Sequence, residues 1–253
     1  MHSLVVSFVV FLLVFIGATV GMRLRRALPL DHLGADTKDT MRLAIGLVVT
    51  MTSLVLGMLV SSGKTFYEGQ KNVVAQMSSD IILLDNLLES FGPESKDLRV
   101  QLRHTLEDSI DRIWPNKDSQ LSELKPKDFS RNINAQVDVL VPKNATEASA
   151  KAQIVTTVQG LKKTYWLMFL NSEQTSVSIP LLMVVTFWLV TIFISFGIFA
   201  PPNSTVMLTL LICALAVSAA IFIIMDLYSP FSGVMRISPV ALRDALSQMA
   251  TER

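Results

Sequence analysis

The chain has 253 residues, of which 51% are hydrophobic and only 17% charged, and its mean hydropathy is +0.47. Soluble domains carry roughly 25% charged residues, so this balance points to lipid, and a net charge of +1 gives no basic footprint for nucleic acid. The single cysteine, Cys213, lies inside an apolar run, and His2, His32 and His104 are scattered, which argues against a disulfide framework, a thiolate metal site or any cofactor.

A membrane-spanning helix needs about 20 mostly apolar residues, and four runs meet that length. The first is 3–22, SLVVSFVVFLLVFIGATVGM, and the second 43–62, LAIGLVVTMTSLVLGMLVSS. The third is 177–199, VSIPLLMVVTFWLVTIFISFGIF, and the fourth 204–225, STVMLTLLICALAVSAAIFIIM. None contains a Lys, Arg, Asp, Glu or His. A soluble core helix would be shorter and show a polar face, so the expected fold class is an all-α membrane protein with four transmembrane helices. The first run lacks the charged n-region of a signal peptide, and its positive residues Arg23, Arg25 and Arg26 come after it. It therefore reads as an uncleaved first helix.

With Lys38 and Arg42, those arginines put five positives in the short loop between spans one and two. The positive-inside rule sets that loop in the cytoplasm, with the N-terminus and segment 63–176 on the non-cytoplasmic side of the cell (inner) membrane.

Beyond the second span, Val74, Met77, Ile81, Leu84, Leu88 and Phe91 follow gaps of three and four, a heptad seam. Only Gly63 interrupts the path from the span into this seam, so the two read as one rod of about 49 residues, ~73 Å long at 1.5 Å per residue. Gly92 and Pro93 close that helix and open the next, which carries Leu98, Leu102, Leu106, Ile110 and Ile113 on one side and stops at Trp114-Pro115. Three prolines, Pro115, Pro126 and Pro142, mark 115–143 as connectors. A long helix then starts near Asn144 with the stripe Ala150, Ile154, Val158, Leu161, Tyr165 and Met168. The expected organisation is membrane helices one and two in 1–62, an inserted extramembrane helical domain in 63–176, membrane helices three and four in 177–226, and a turn with an amphipathic tail in 227–253. Packing within one subunit is the commoner use of such a seam, ahead of an inter-subunit coiled coil.

The second span also carries Gly46, Thr50, Ser53, Gly57 and Ser61 on one face. Small residues at this spacing most often let helices pack closely; the other reading is the lining of a pore in an oligomer, where hydroxyls replace part of an ion's hydration. Ala214 and Ser218 on the fourth span form a weaker stripe that reads as packing. No span holds the ionisable group that coupled transporters keep at mid-membrane, which ranks a passive pore above a transporter. No catalytic or phosphate-binding motif is present, so an enzyme is not expected, and Asp108 and Asp111 near His104 read as the solvated face of an amphipathic helix.

The fourth span ends in IIMDLYSPFSGVMRIS, 223–238. An acid at a helix C-terminus is unfavourable unless something holds it. Asp226 has two readings. In the plainer one it lies at the membrane boundary and reaches water. In the sharper one it accepts N–H bonds from the turn at 229–233, or pairs with Arg236, with Pro230 fixing one backbone angle and Gly233 supplying a positive φ. Asp226, Pro230 and Gly233 then form a structural corner. Ser238-Pro239 would open a last helix whose face of Ala241, Leu242, Ala245, Leu246 and Met249 docks on the bilayer surface or the helical domain.

The segments FWLVTIFISFGIFAPPNSTV (187–206), CALAVSAAIFIIMDLYSPFSGVMRIS (213–238) and LRDAL (242–246) resemble the bestrophin-like family of bacterial integral membrane proteins. SLVLGMLVSS (53–62) and LLDNLLESFGPE (83–94) support the likeness. The resemblance implies a four-helix membrane protein with an inserted helical domain, an oligomeric, anion-channel-like role and a small anion as the conducted species. The chain departs from true bestrophins in having no aromatic residue in 43–62, where theirs resembles a ring of aromatic side chains, and no acidic cluster like their calcium clasp. The alternative function is a non-conducting interaction or sensor protein acting through the helical domain.

Overall fold

Helices in this chain run as far as the apolar pattern and the caps allow. The computed structural model describes residues 2–29, 34–114, 137–174, 178–201 and 203–251; of these described residues 88% are helical, with no strand among them. The long helices are α1 (His2–Ala27), α2 (Ala35–Phe91), α3 (Lys96–Ile113), α4 (Ala145–Gln174), α5 (Ile179–Phe199), α6 (Ser204–Leu227) and α7 (Val240–Thr251). Four of them, α1, α2, α5 and α6, are long and apolar enough to cross a membrane.

The rod read from the sequence forms and is longer than expected. It begins at Ala35 rather than near 43, and its 57 residues amount to ~86 Å of helix. Gly63 does not break it. The chain divides into two compact units, the first made of Met1–Tyr67, Ser176–Ser229 and Gly233–Met235, the second of Glu68–Thr175, Pro230–Ser232 and Arg236–Arg253.

In the first unit, α1 packs against α5 and α6. Val10, Val14, Ala18, Val185, Leu189, Phe193, Ala214 and Ile221 form its buried core, with Leu59 reaching in from α2. Ser218 supports the packing reading of its stripe: it is buried beside Ala214, and its hydroxyl donates to the Ser7 carbonyl at 2.6 Å. Helix α5 starts with Pro180 in its first turn, where a missing N–H costs nothing. It ends at Ala200, whose carbonyl accepts from the Arg25 guanidinium, a cation placed where the helix macrodipole favours one. Asn203 caps α6, its side chain accepting the Val206 N–H at 2.8 Å.

In the second unit, all six seam residues of α2, from Val74 to Phe91, are buried, so the heptad packs inside the chain. Gly92, at φ 108°, is the one described glycine with positive φ, and it stops α2 where an L side chain would be strained. Ser95 closes the corner by donating to the carbonyls of Leu88 and Gly92. Residues Leu98, Leu102, Leu106, Ile110 and Ile113 of α3 are buried, as are Ile154, Val158, Leu161, Tyr165 and Met168 of α4; Ala150 is only half-buried. Asn144 caps α4 by accepting the Glu147 N–H at its Oδ1, and its Nδ2 donates back to the Glu147 carboxylate, which also accepts the Lys143 N–H. Asp85, 3% exposed, is held by both the Nε and Nη2 of Arg99, at 2.8 and 2.7 Å, a two-pronged pairing that offsets the cost of burying the carboxylate. Lys143 pairs with Glu94, and that hydrogen bond holds the ammonium above its ordinary pKa.

Of the connector read into 115–143, only 137–143 lies within the described residues. A helical turn at 137–139 buries Val137 and Leu140, and Lys151 of α4 donates to the Leu140 carbonyl at 2.6 Å. The tail helix α7 contacts α3, buries Leu242 and Ala245, and accepts at the Ala241 carbonyl from Ser78 at 2.6 Å. The strand of chain before it is anchored by Trp114, whose indole N–H donates to the Ile237 carbonyl at 2.7 Å and whose ring meets Phe231 edge-on at 5.7 Å. Ser238 accepts the Val240 N–H, while the Pro239 carbonyl takes the first intrahelical bond, from Arg243. The cap therefore sits one residue later than the sequence suggested.

Candidate functional site

Helix α2 is the least covered of the four spans. Only 11% of its apolar stretch is buried, against 28% to 33% for the others. One side of it faces the core of the first unit through Thr52, Leu59 and Gly63, with Ile45, Val48, Val55 and Leu56 packed against that core. Gly63 is a contact point: a Cβ there would lie 3.2 Å from the Tyr228 ring. Tyr228 also stacks on Phe66 at 5.6 Å and donates to the Ser62 hydroxyl at 3.0 Å.

The face singled out in the sequence lies elsewhere on α2. Gly46, Thr50, Ser53, Gly57 and Ser61 are all exposed, about 140° round the helix from the core-facing side at 3.6 residues per turn. A Cβ added at Gly46 or Gly57 would meet nothing within 4 Å, so among the described residues nothing packs against these glycines. The Thr50 hydroxyl donates to the Leu47 carbonyl and the Ser53 hydroxyl to the Val49 carbonyl, each at 2.8 Å. Both side chains thus satisfy their hydrogen within the helix and turn oxygen lone pairs outward. A second bare row, Leu43, Leu47, Met51, Leu54 and Met58, is 50% to 79% exposed and runs about 140° from the core on the other side. Near the start of the helix, Gly46, Ile45 and Val49 border an apolar groove of 460 Å³ shared with Ser195, Phe196 and Phe199 of α5.

The corner at the end of α6 takes a different form from either sequence reading. Asp226 does not reach water; it is 1% exposed. Its Oδ1 accepts the Val234 N–H at 3.0 Å and its Oδ2 the Met235 N–H at 2.7 Å. The donors are backbone amides, as the sharper reading held, but they come just after the 229–233 turn. Arg236 is exposed and makes no ion pair with Asp226. Gly233 has no positive φ. Its requirement is space, since a Cβ would stand 2.4 Å from Asp226 Oδ1 and 2.7 Å from Cγ. The turn itself is closed by Ser229 N–H to the Asp226 carbonyl at 2.9 Å and Gly233 N–H to the Ser229 carbonyl at 3.0 Å, and the Pro230 carbonyl accepts from Ile237 at 2.7 Å. Two amides on one carboxylate offset both its burial and its unfavourable place at a helix C-terminus.

A family model described as a bestrophin-like domain matches residues 8–242. The chain belongs to the bestrophin-like family. No curated protein and no solved structure matches it.

In this bestrophin-like chain a close helix contact falls where the sequence reading assigned nothing. Gly17 and Gly21 of α1 face α5, and a Cβ at Gly21 would stand 2.1 Å from the Ile194 carbonyl oxygen. Gly197 of α5 is the reciprocal site, its Cβ position lying 2.2 Å from the Ala18 carbonyl oxygen. The signal was present as GATVG, a G-x-x-x-G motif inside an apolar span. Among the described residues no group of three or more His, Cys, Asp and Glu gathers as a metal site. His104 is 73% exposed beside Glu107 on α3, and Asp108 and Asp111 are exposed with it.

Proposed function

We propose that this bestrophin-like protein assembles as a homo-oligomer and conducts small anions passively through a pore lined by the Gly46, Thr50, Ser53, Gly57 and Ser61 face of α2. The observation that carries this reading is that the small, hydroxyl-bearing face is bare on the least covered span. Small residues leave room for an aqueous path, and a hydroxyl rotor can turn from its backbone carbonyl to a passing anion at the loss of one neutral hydrogen bond, about 1 kcal/mol. The Leu and Met row beside it suits a neighbouring subunit or lipid tails. The family relationship supports a channel-like role, and no chemistry in the described residues argues for catalysis.

Purified protein in liposomes is expected to pass chloride or iodide, and Ser53→Leu or Gly57→Leu to cut that flux severalfold without changing the oligomeric state. Ion-tight liposomes containing verified, folded oligomer would sink the proposal. Crosslinking of 63–176 to a specific partner, without conduction, would instead favour an interaction or sensor role. The orientation proposed for it in the cell membrane has the N-terminus and the helical domain outside the cytoplasm, following the five positives at the end of α1 and the start of α2. An enzymatic reporter fused at position 120 is expected to be active only in the non-cytoplasmic form; a cytoplasmic signal reverses the orientation.

A further inference from the structure

The end of α1 and the start of α6 enclose a groove of 640 Å³ that the pore reading does not use. Its wall is apolar, formed by Phe15 and Met22 of α1 and by Met207, Leu208 and Leu211 of α6. Leu208 is 57% exposed, and Met207 and Leu211 are 39% and 37% exposed, so this wall is open at the flank of two membrane-spanning helices. Its mouth has the opposite chemistry. Arg23 and Arg26 line it, both exposed, and neither is paired with an acid among the described residues. This sets them apart from Arg25, which is committed to the Ala200 carbonyl.

The mouth also includes Asn203 and Ser204, the cap and first residue of α6. The Asn203 side chain is spent on the Val206 N–H, and the first intrahelical bond comes from Met207. The Ser204 and Thr205 amides therefore precede the helix ladder and add to the positive end of the α6 macrodipole. Two guanidinium groups without an acid partner among the described residues and a helix N-terminus stand at one end of an apolar trough, at the depth where a span leaves the hydrocarbon. Fixed positive charge at the polar end and methylene-sized packing surface along the rest match one occupant, a lipid with an anionic headgroup.

We infer that the α1–α6 groove binds an anionic phospholipid, its phosphate held by Arg23 and Arg26 at the α6 N-terminus and an acyl chain laid along Phe15, Leu208 and Leu211. A zwitterionic lipid carries its own ammonium to the same place and loses the net attraction, so the site discriminates by headgroup charge.

The test uses the full-length protein in nanodiscs containing equal phosphatidylglycerol and phosphatidylcholine, released into mild detergent and weighed by native mass spectrometry. Wild-type protein is expected to retain phosphatidylglycerol over phosphatidylcholine by roughly 30-fold, the product of two basic contacts near a membrane surface. Arg23→Gln/Arg26→Gln should bring the two lipids to parity, while Arg243→Gln, a charge change in the tail helix, leaves the preference intact. Leu208→Trp should lower retention with both arginines present, because it fills the trough. Circular dichroism and melting curves of each variant separate loss of binding from loss of fold. Equal retention of the two lipids by wild-type protein overturns the inference. So does displacement of the lipid by millimolar inorganic phosphate, which would mark a free-anion site. A change in oligomeric state in the double variant with lipid retention unchanged would assign the groove to a second subunit and equally overturn it.

Discussion

Asp226→Ala is expected to release the corner after α6 and to lower the stability of the protein by about 3 kcal/mol or more, since two amide bonds to a charged acceptor are lost and each is worth roughly 1.5–3 kcal/mol. Among the described residues the Val234 and Met235 amides have no other acceptor, and the segment that leads to α7 would lose its starting geometry. Limited proteolysis should cut 236–251 faster in the variant, alongside a lower melting temperature in detergent. Gly233→Ala should produce the same lesion from the opposite side, because its Cβ would stand 2.4 Å from a carboxylate oxygen. The two effects should be strongly less than additive when combined, as removing the carboxylate also removes the clash. Unchanged protease resistance and melting in Asp226→Ala would refute the assignment of the carboxylate as the holder of this turn.

Gly21→Val is expected to be the more damaging substitution within the membrane helices. The atoms a side chain would meet are backbone, the carbonyl oxygen of Ile194 at 2.1 Å and its carbon at 2.9 Å from the Cβ position, so no rotamer change relieves the contact. Helices α1 and α5 must separate, and lipid supplies no hydrophobic drive to hold them together once close packing is lost. Loss of monodisperse protein on gel filtration, and a fall of several kcal/mol in stability where folded protein can be recovered, are the expected readouts. Gly197→Val should behave alike. Gly69→Ala and Gly160→Ala, whose added Cβ meets nothing within 4 Å, should be neutral or stabilising by up to about 1 kcal/mol. Gly21→Val protein that is as stable as wild type would mean that the α1–α5 contact is looser than described.

Periodicity carried most of the fold into view. The spans were legible because lipid imposes a length, and the seam from Val74 to Phe91 because a buried helix face repeats at 3.5 to 3.6 residues. Where reading by residue type failed, the cause was close approach of backbone to neighbour, which leaves no hydropathy signal. Gly21 and Gly197 are silent in a hydropathy profile, and Gly233 looked like a turn glycine needing a positive φ when what it needs is the volume of a missing methyl. Asp226 was noticed because an acid is conspicuous after an apolar run, but its depth could not be judged without knowing that the chain folds back and presents the Val234 and Met235 amides to it. The tail could be seen to be amphipathic through Leu242 and Ala245, yet the choice between bilayer and helical domain rested on partners such as Trp114 and Ser78, distant in sequence. The α2 face of Gly46 to Ser61 was visible as a pattern; that it is bare depends on which side of α2 the core takes up, which periodicity does not distinguish for two faces of similar size.

The continuity of α2 has a consequence for how the protein meets membranes of different thickness. Between Arg42 and Lys64 there is no ionisable residue and no turn, and that apolar stretch measures about 32 Å along the helix, close to the ~30 Å of a bilayer's hydrocarbon core. A helix that ended in a loop at the interface could answer hydrophobic mismatch by fraying or re-forming its last turn. Helix α2 has no such end there, because the helix continues to Phe91. In a thinner bilayer the adjustment open to it is tilt, and tilting α2 inclines the Gly46–Ser61 face relative to the membrane normal. Acyl-chain length thereby becomes a physical variable that acts directly on the orientation of the candidate pore surface.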